Sequence, residues 1–149
     1  MKYKGQVLLF QGDYRFLSNF YPADINYEGR VYPTAEHAYQ AAKTCDEKER
    51  SRISKLPTPG AAKRYGSRIK ELRPHWDREK RYYMTDIVHL KFCNKDLAQK
   101  LMATKELLLI EGNYWGDTYW GVDLRTGAGQ NWLGRILMDQ RSGLLACAT

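Results

Sequence analysis

Three side chains that could do acid, amide and ammonium chemistry stand in a row at helical spacing. They are Glu36, Gln40 and Lys43, within Tyr32-Pro33-Thr34-Ala35-Glu36-His37-Ala38-Tyr39-Gln40-Ala41-Ala42-Lys43. The stretch reads as helix. Pro33 disfavours helix before it, Thr34 offers an oxygen to the first backbone N–H groups, and good helix formers follow. Ala35, Ala38, Tyr39 and Ala42 recur at three-and-four spacing and make a small, apolar stripe suited to a core. The row led by Glu36 lies on the neighbouring stripe. Two readings are open for it: a solvated face with i, i+4 support, or the lining of a pocket with Glu36 as its catalytic acid.

A second concentration of chemistry lies at residues 111–123, where acids, large aromatics and glycines crowd together. A loop of this composition is expensive to keep rigid unless it has a use. Glu36, Glu111, Asp117 and Asp123, with Phe16, Trp76, Trp115 and Trp120, make a set of carboxylates and flat rings. Splitting a bond between a sugar and a nitrogenous base needs little more. Positive charge develops on the sugar as the bond breaks, a carboxylate stabilises it and orients water, and aromatic walls hold the departing base. Acidic, aromatic loops also serve as carbohydrate or protein contact surfaces, and a Trp at 76 also suits simple packing. Gly127 and Gly129 precede a last helix whose start is expected to offer unpaired N–H groups to an anion.

Other chemistries lack their patterns. Gly127-x-Gly129 is not followed by a third glycine in dinucleotide register, and no βαβ unit surrounds it. A Walker A loop, an H-E-x-x-H helix and a G-x-S-x-G elbow are absent from the sequence. His37, His75 and His89 are scattered and read as satisfied core or surface histidines. Cys45, Cys93 and Cys147 are odd in number and far apart, so they read as free thiols, and neither a metal nor a cofactor is expected.

The 149 residues fit one domain. With 43% hydrophobic and 28% charged residues, and no apolar run near the roughly 20 residues a bilayer requires, a soluble cytoplasmic protein is expected. The chain start shows no signal-like apolar stretch. A net charge of +7 favours anionic partners, phosphorylated metabolites or nucleic acid. No membrane partner is expected.

The elements that must position these residues follow from periodicity and turn chemistry. Residues 7–10 read as a short strand, 14–22 as an irregular aromatic segment, and 24–32 as a hairpin turning at Glu28-Gly29. Helices are expected over 34–45, 47–55, 61–69, 74–93 and 96–104, separated by Pro57-Thr58-Pro59-Gly60 and Arg73-Pro74. The fourth is the central long helix, with Tyr83, Met84, Ile87, Val88, Leu90 and Phe92 as its apolar surface. Residues 107–110 fit a buried strand, though helix remains open. The last helix presents Leu133, Ile136, Leu137 and Gln140, and the tail from Ser142 is expected to be loosely ordered. The fold class is α+β: a helix-rich single domain over 1–149 with short N-terminal strands and a hairpin.

Four blocks carry a resemblance. Phe16-Leu17-Ser18-Asn19-Phe20-Tyr21-Pro22, the Tyr32 to Lys43 stretch, Asp117-x-x-Trp120-Gly121 and Gly129-x-Asn131-x-Leu133-Gly134-x-x-Leu137-Met138-x-x-Arg141 resemble the signature blocks of the NADAR family, in order and over nearly the whole chain. The resemblance implies an α+β domain with N-glycosidase activity. Its implied substrates are phosphoribosylated aminopyrimidine intermediates of riboflavin synthesis, or ADP-ribose attached to guanine in nucleic acid. It implies Glu36 and Asp117 as catalytic acids, Trp120 as an aromatic wall with Trp76 added, and Asn131 as a holder of sugar or phosphate. Phe16, Asn19, Lys43 and Gly121 complete the expected substrate-binding positions, with Arg15 a further candidate for phosphate. One departure is Thr104-Lys105, where a Thr-Gly turn is expected. The rival reading is a non-catalytic module that binds NAD, ADP-ribose or nucleic acid.

Overall fold

The computed structural model describes residues 5–148. The first four residues, part of the stretch read as lacking a signal segment, and Thr149 of the expected tail lie outside the described residues. In chain order the elements are β1 (Gln6–Val7), a 3-10 helix (Gly12–Leu17), β2 (Pro22–Tyr27), β3 (Arg30–Thr34), α1 (Ala35–Ala42), α2 (Glu47–Ser54), α3 (Pro59–Gly66) and α4 (Trp76–Lys91). They continue with α5 (Lys95–Ala103), β4 (Leu108–Leu109), β5 (Gly112–Asn113), β6 (Val122–Asp123) and α6 (Trp132–Cys147). Helices with short strands in two-stranded sheets make this an α+β fold, as expected. Among the described residues no helix is long and apolar enough to cross a membrane.

The chain divides into two compact units, Asn19–Lys91 and the segments flanking it. In the Asn19–Lys91 unit, β2 and β3 pair antiparallel with Tyr27 opposite Arg30. Glu28 (φ 48°) and Gly29 (φ 83°) form the left-handed two-residue turn that matches strand twist. Glu28 occupies a position that favours Gly or Asn, and its carboxylate is held by Arg50 Nη1 at 2.6 Å and Arg73 Nη2 at 3.4 Å. The hairpin delivers the chain to Thr34, whose Oγ1 accepts from His37 N at 3.1 Å and caps α1. Every residue of α1 is buried, against β2, β3, α2, α3 and α4. The long α4 buries Met84, Ile87 and Val88 and packs on β2 and α1.

In the flanking unit β1 and β4 pair parallel, as do β5 and β6. Residues 107–110 thus contain a strand, shortened to Leu108–Leu109. The aromatic segment around Tyr14 is not irregular throughout but winds into the 3-10 helix. Helix α6 buries Leu133, Ile136 and Leu137 against α5 and β4. Gln140 is only half-buried; the next residue, Arg141, turns inward and donates to Thr104 Oγ1 at 2.9 Å and the Leu107 carbonyl at 2.8 Å. Residues 142–147, expected to be loose, are the last turns of α6. No proline interrupts them, Leu144, Leu145 and Ala146 are good helix formers, and Ala148 N closes the end on the Leu144 carbonyl.

Candidate active site

The row led by Glu36 is not a solvated face. Glu36 is 7% exposed and Gln40 3%. A buried carboxylate is costly unless hydrogen bonds hold it, and Gln40 Nε2 donates to Glu36 Oε1 at 2.8 Å. The backbone fixes the same residue, since Glu36 N donates to the Asn19 carbonyl at 3.0 Å. Glu36 thus lies in the first turn of α1, where the helix dipole favours negative charge. Asn19 is itself buried, its amide 3.4 Å from Met84 Sδ, a weak acceptor. The motif carrying Asn19 and the helix carrying Glu36 therefore meet.

Gln40 has room because of Gly66. A Cβ at position 66 would fall 1.8 Å from Gln40 Oε1 and 2.6 Å from its Cδ. That oxygen has no hydrogen-bond partner among the described residues. A glycine inside a helical pattern is the sequence signal for such an approach.

Aromatic rings extend the cluster. Tyr39 meets Trp76 with centroids 5.4 Å apart, and Trp76 stacks on Tyr83 at 5.5 Å. Trp76 is therefore a packed ring beside α1. Arg73 lies 4.5 Å from the Tyr83 centroid and its Nε donates to the Ala42 carbonyl at 2.9 Å, covering the end of α1. Lys43 Nζ sits 5.8 Å from the Tyr39 ring centre. Burial holds the Lys43 ammonium below the ordinary lysine range; Glu36 opposes the shift, and Lys80 and Lys63 add to it. His37 is a satisfied core histidine, as read: Nδ1 pairs with Thr34 Oγ1 at 2.7 Å and Nε2 donates to the Leu56 carbonyl at 3.0 Å. A groove of about 550 Å³ in this unit, lined by Thr44, Tyr65, Arg68 and their neighbours, contains none of the expected site residues.

The other expected residues belong to the flanking unit. Asp117 Oδ1 accepts from Tyr119 N at 3.1 Å and Trp120 N at 3.0 Å, folding the loop over its own carboxylate. Asn113 grips Asp117 from both sides, donating to its carbonyl and accepting from its N–H. Trp120 meets Tyr119 edge-on at 4.8 Å. Gly121 is required by close approach, because a Cβ there would lie 2.1 Å from the Glu111 carbonyl. Asp123 is committed to Arg125, Trp115 is 67% exposed, and Phe16 is a core ring 6.5 Å from Phe92.

The start of α6 differs from expectation. Gln130, Asn131, Trp132 and Leu133 donate their N–H groups to the carbonyls of Thr118, Gly121, Tyr119 and Trp120. These donors are already satisfied by the preceding loop, so they are not the open anion site read from the glycines. Asn131, in the left-handed region at φ 54°, bridges with its side chain: Oδ1 accepts from Glu111 N and Nδ2 donates to the Leu109 carbonyl, both at 2.9 Å. Gly134 makes room, since a Cβ there would reach the same carbonyl and amide.

Comparison with known proteins places this arrangement. A profile of the NADAR domain matches residues 9–145. The chain belongs to the NADAR family. It is 39% identical over 134 residues to the N-glycosidase YbiA of Escherichia coli strain K12, covering 89% of this chain and 82% of that protein. A riboflavin biosynthesis protein of Vibrio vulnificus is 37% identical over 87% of this chain, which corresponds to 35% of that longer protein. The NMR structure of E. coli YbiA superposes with a TM-score of 0.82 at 33% identity, covering 99% of this chain and 92% of that one. In this NADAR protein the Tyr32 to Lys43 block builds the Glu36 cluster, and the Asp117 and Asn131 blocks build the loop that seals α6.

Proposed function

We propose that this NADAR protein is an N-glycosidase that hydrolyses the bond between C1 of a phosphorylated ribose and the nitrogen of a base, acting on phosphoribosylated aminopyrimidines of the kind made in riboflavin synthesis. The observation that carries the reading is the buried Glu36 carboxylate, held by Gln40 at 2.8 Å in the first turn of α1 and accompanied by Tyr39 and Trp76. The name of the Vibrio vulnificus relative supports the substrate class. One domain over 1–149 is part of the proposal, supported by the profile match across 9–145.

In the reaction the C1–N bond breaks with its electron pair going to the base nitrogen, which takes up a proton. Water adds to C1 and loses a proton, leaving a hydroxyl on the sugar. Glu36 stabilises the positive charge that grows on C1 and receives the proton of the attacking water. Trp76 and its neighbouring rings provide an apolar environment for the base. Asp117 is proposed as the second acid on the resemblance of its motif. D117N keeps an oxygen for the Tyr119 and Trp120 N–H groups and removes the charge, so it is expected to lower turnover while the melting temperature holds.

Purified protein offered a phosphoribosyl diaminopyrimidine is expected to release the free base, read by mass-resolved chromatography. ADP-ribosylated guanine in an oligonucleotide, offered in parallel, reports the other substrate class through free ADP-ribose. Glu36→Gln is expected to lower turnover at least about a hundredfold. Near-normal turnover in a folded E36Q protein removes Glu36 from the chemistry. Tight ADP-ribose binding by calorimetry, with no base released from either substrate, would instead make the protein a binding module.

A further inference from the structure

We propose that Lys43, Lys63 and Lys80 form an anion subsite beside the Glu36 cluster and that it takes the phosphate of the substrate; this rests on the N-glycosidase reading above. Two helix contacts bring the three together. Tyr39 of α1 touches Trp76 of α4 at 5.4 Å. Lys43 follows Tyr39 by four residues and Lys80 follows Trp76 by four, so each ammonium shares a stripe with a ring of that contact. Gln40 of α1 abuts Gly66 of α3. Lys43, the C-cap of α1, is three residues beyond Gln40, and the exposed Lys63 is three before Gly66, which places both at the rim of the α1–α3 contact.

The electrostatics agree with this placement. Lys80 and Lys63 both act on the half-buried Lys43 with like charge, while Glu36 acts with opposite charge. Asp77 lies 3.8 Å from Lys80 Nζ and offsets part of the positive charge. Three ammonium groups gathered at the edge of a packed aromatic cluster repel one another, and a dianionic phosphate relieves that repulsion. The start of α6, another expected phosphate site, has the N–H groups of residues 130–133 bonded to carbonyls. The subsite therefore assigns Lys63 and Lys80, which no motif singled out, to substrate selection.

The test is calorimetric titration of ribose 5-phosphate and of ribose into the wild-type protein, K63Q/K80Q, and a charge-matched K48Q/K95Q control made at exposed lysines. Wild type is expected to favour ribose 5-phosphate. K63Q/K80Q is expected to bind it at least about tenfold more weakly, with the control unchanged. K63Q alone, at an exposed position, is expected to weaken binding about threefold and serves if the double variant is unstable. Equal weakening in the control, unchanged affinity in K63Q/K80Q, or no preference for the phosphate in wild type overturns the subsite. The hydrolysis assay separates the two readings. Base release by K63Q/K80Q at wild-type KM defeats the subsite and leaves the glycosidase, whereas absence of release by wild type with the phosphate preference intact does the reverse.

Discussion

A carboxylate on the second residue of a helix is usually free to move in water, and Glu36 is not. Gln40 holds one oxygen, the Asn19 carbonyl holds its N–H, and Gly66 leaves the space in which Gln40 lies. Alanine in place of glycine within a helix ordinarily stabilises by about 1 kcal/mol. At position 66 it would drive Cβ into Gln40, and overpacking of this kind costs about 1–3 kcal/mol. Gly66→Ala is therefore expected to destabilise by about 1 kcal/mol net in urea melts, and to lower turnover about tenfold because Gln40 no longer holds Glu36. Q40A/G66A removes the obstacle but also the hydrogen bond to the buried Glu36 carboxylate, so neither the stability nor the turnover should return. The sequence was informative here up to a limit: the spacing of Glu36, Gln40 and Lys43 put them on one stripe, but only tertiary contact decides whether a polar stripe is wet or buried.

The capped start of α1, the turn at Glu28-Gly29 and the helix breaks at Pro57 and Pro74 were legible because local sterics and side-chain caps fix them, whereas Pro59-Gly60, expected to separate helices, open α3. The start of α6 was not, because whether its N–H groups face solvent depends on carbonyls of residues 118–121 arriving from a separate stretch. The same contrast governs the end of α5. Lys105 sits at φ 52° just past the C-cap Thr104, the position that glycine favours. The turn is kept without its glycine, with Lys105 N bonded to the Met102 carbonyl at 3.0 Å and Arg141 holding Thr104. A non-glycine residue in the left-handed region costs about 1–2 kcal/mol. Lys105→Gly is expected to raise stability by about 1 kcal/mol, seen as a higher urea midpoint at unchanged slope.

Across the whole molecule, stability and charge are linked through buried groups. Burial pushes the His37 ring below its ordinary 6.5, with the Leu56 carbonyl opposing part of the shift, so the folded protein holds it neutral. The unfolded chain then binds more protons near that value. The contribution is complete above about pH 6.5 and is lost as pH falls through it. Burial would raise the Glu28 carboxyl, but the hydrogen bond and charge of Arg50, with Arg73, outweigh it and hold it below its ordinary 4.5. Its contribution is present above that value and lost on further acidification. Thermal melts are thus expected to show two successive losses as pH falls, and His37→Gln should flatten the first. A net charge of +7 adds self-repulsion that grows in the same direction. The sealed start of α6 has a separate consequence for deuterium uptake. The amide protons of residues 130–133 can exchange with solvent only after the carbonyls of residues 118–121 let go. Their exchange rate is a built-in clock for how often the Asp117 to Gly121 loop lifts away, and it reads that event without any probe attached.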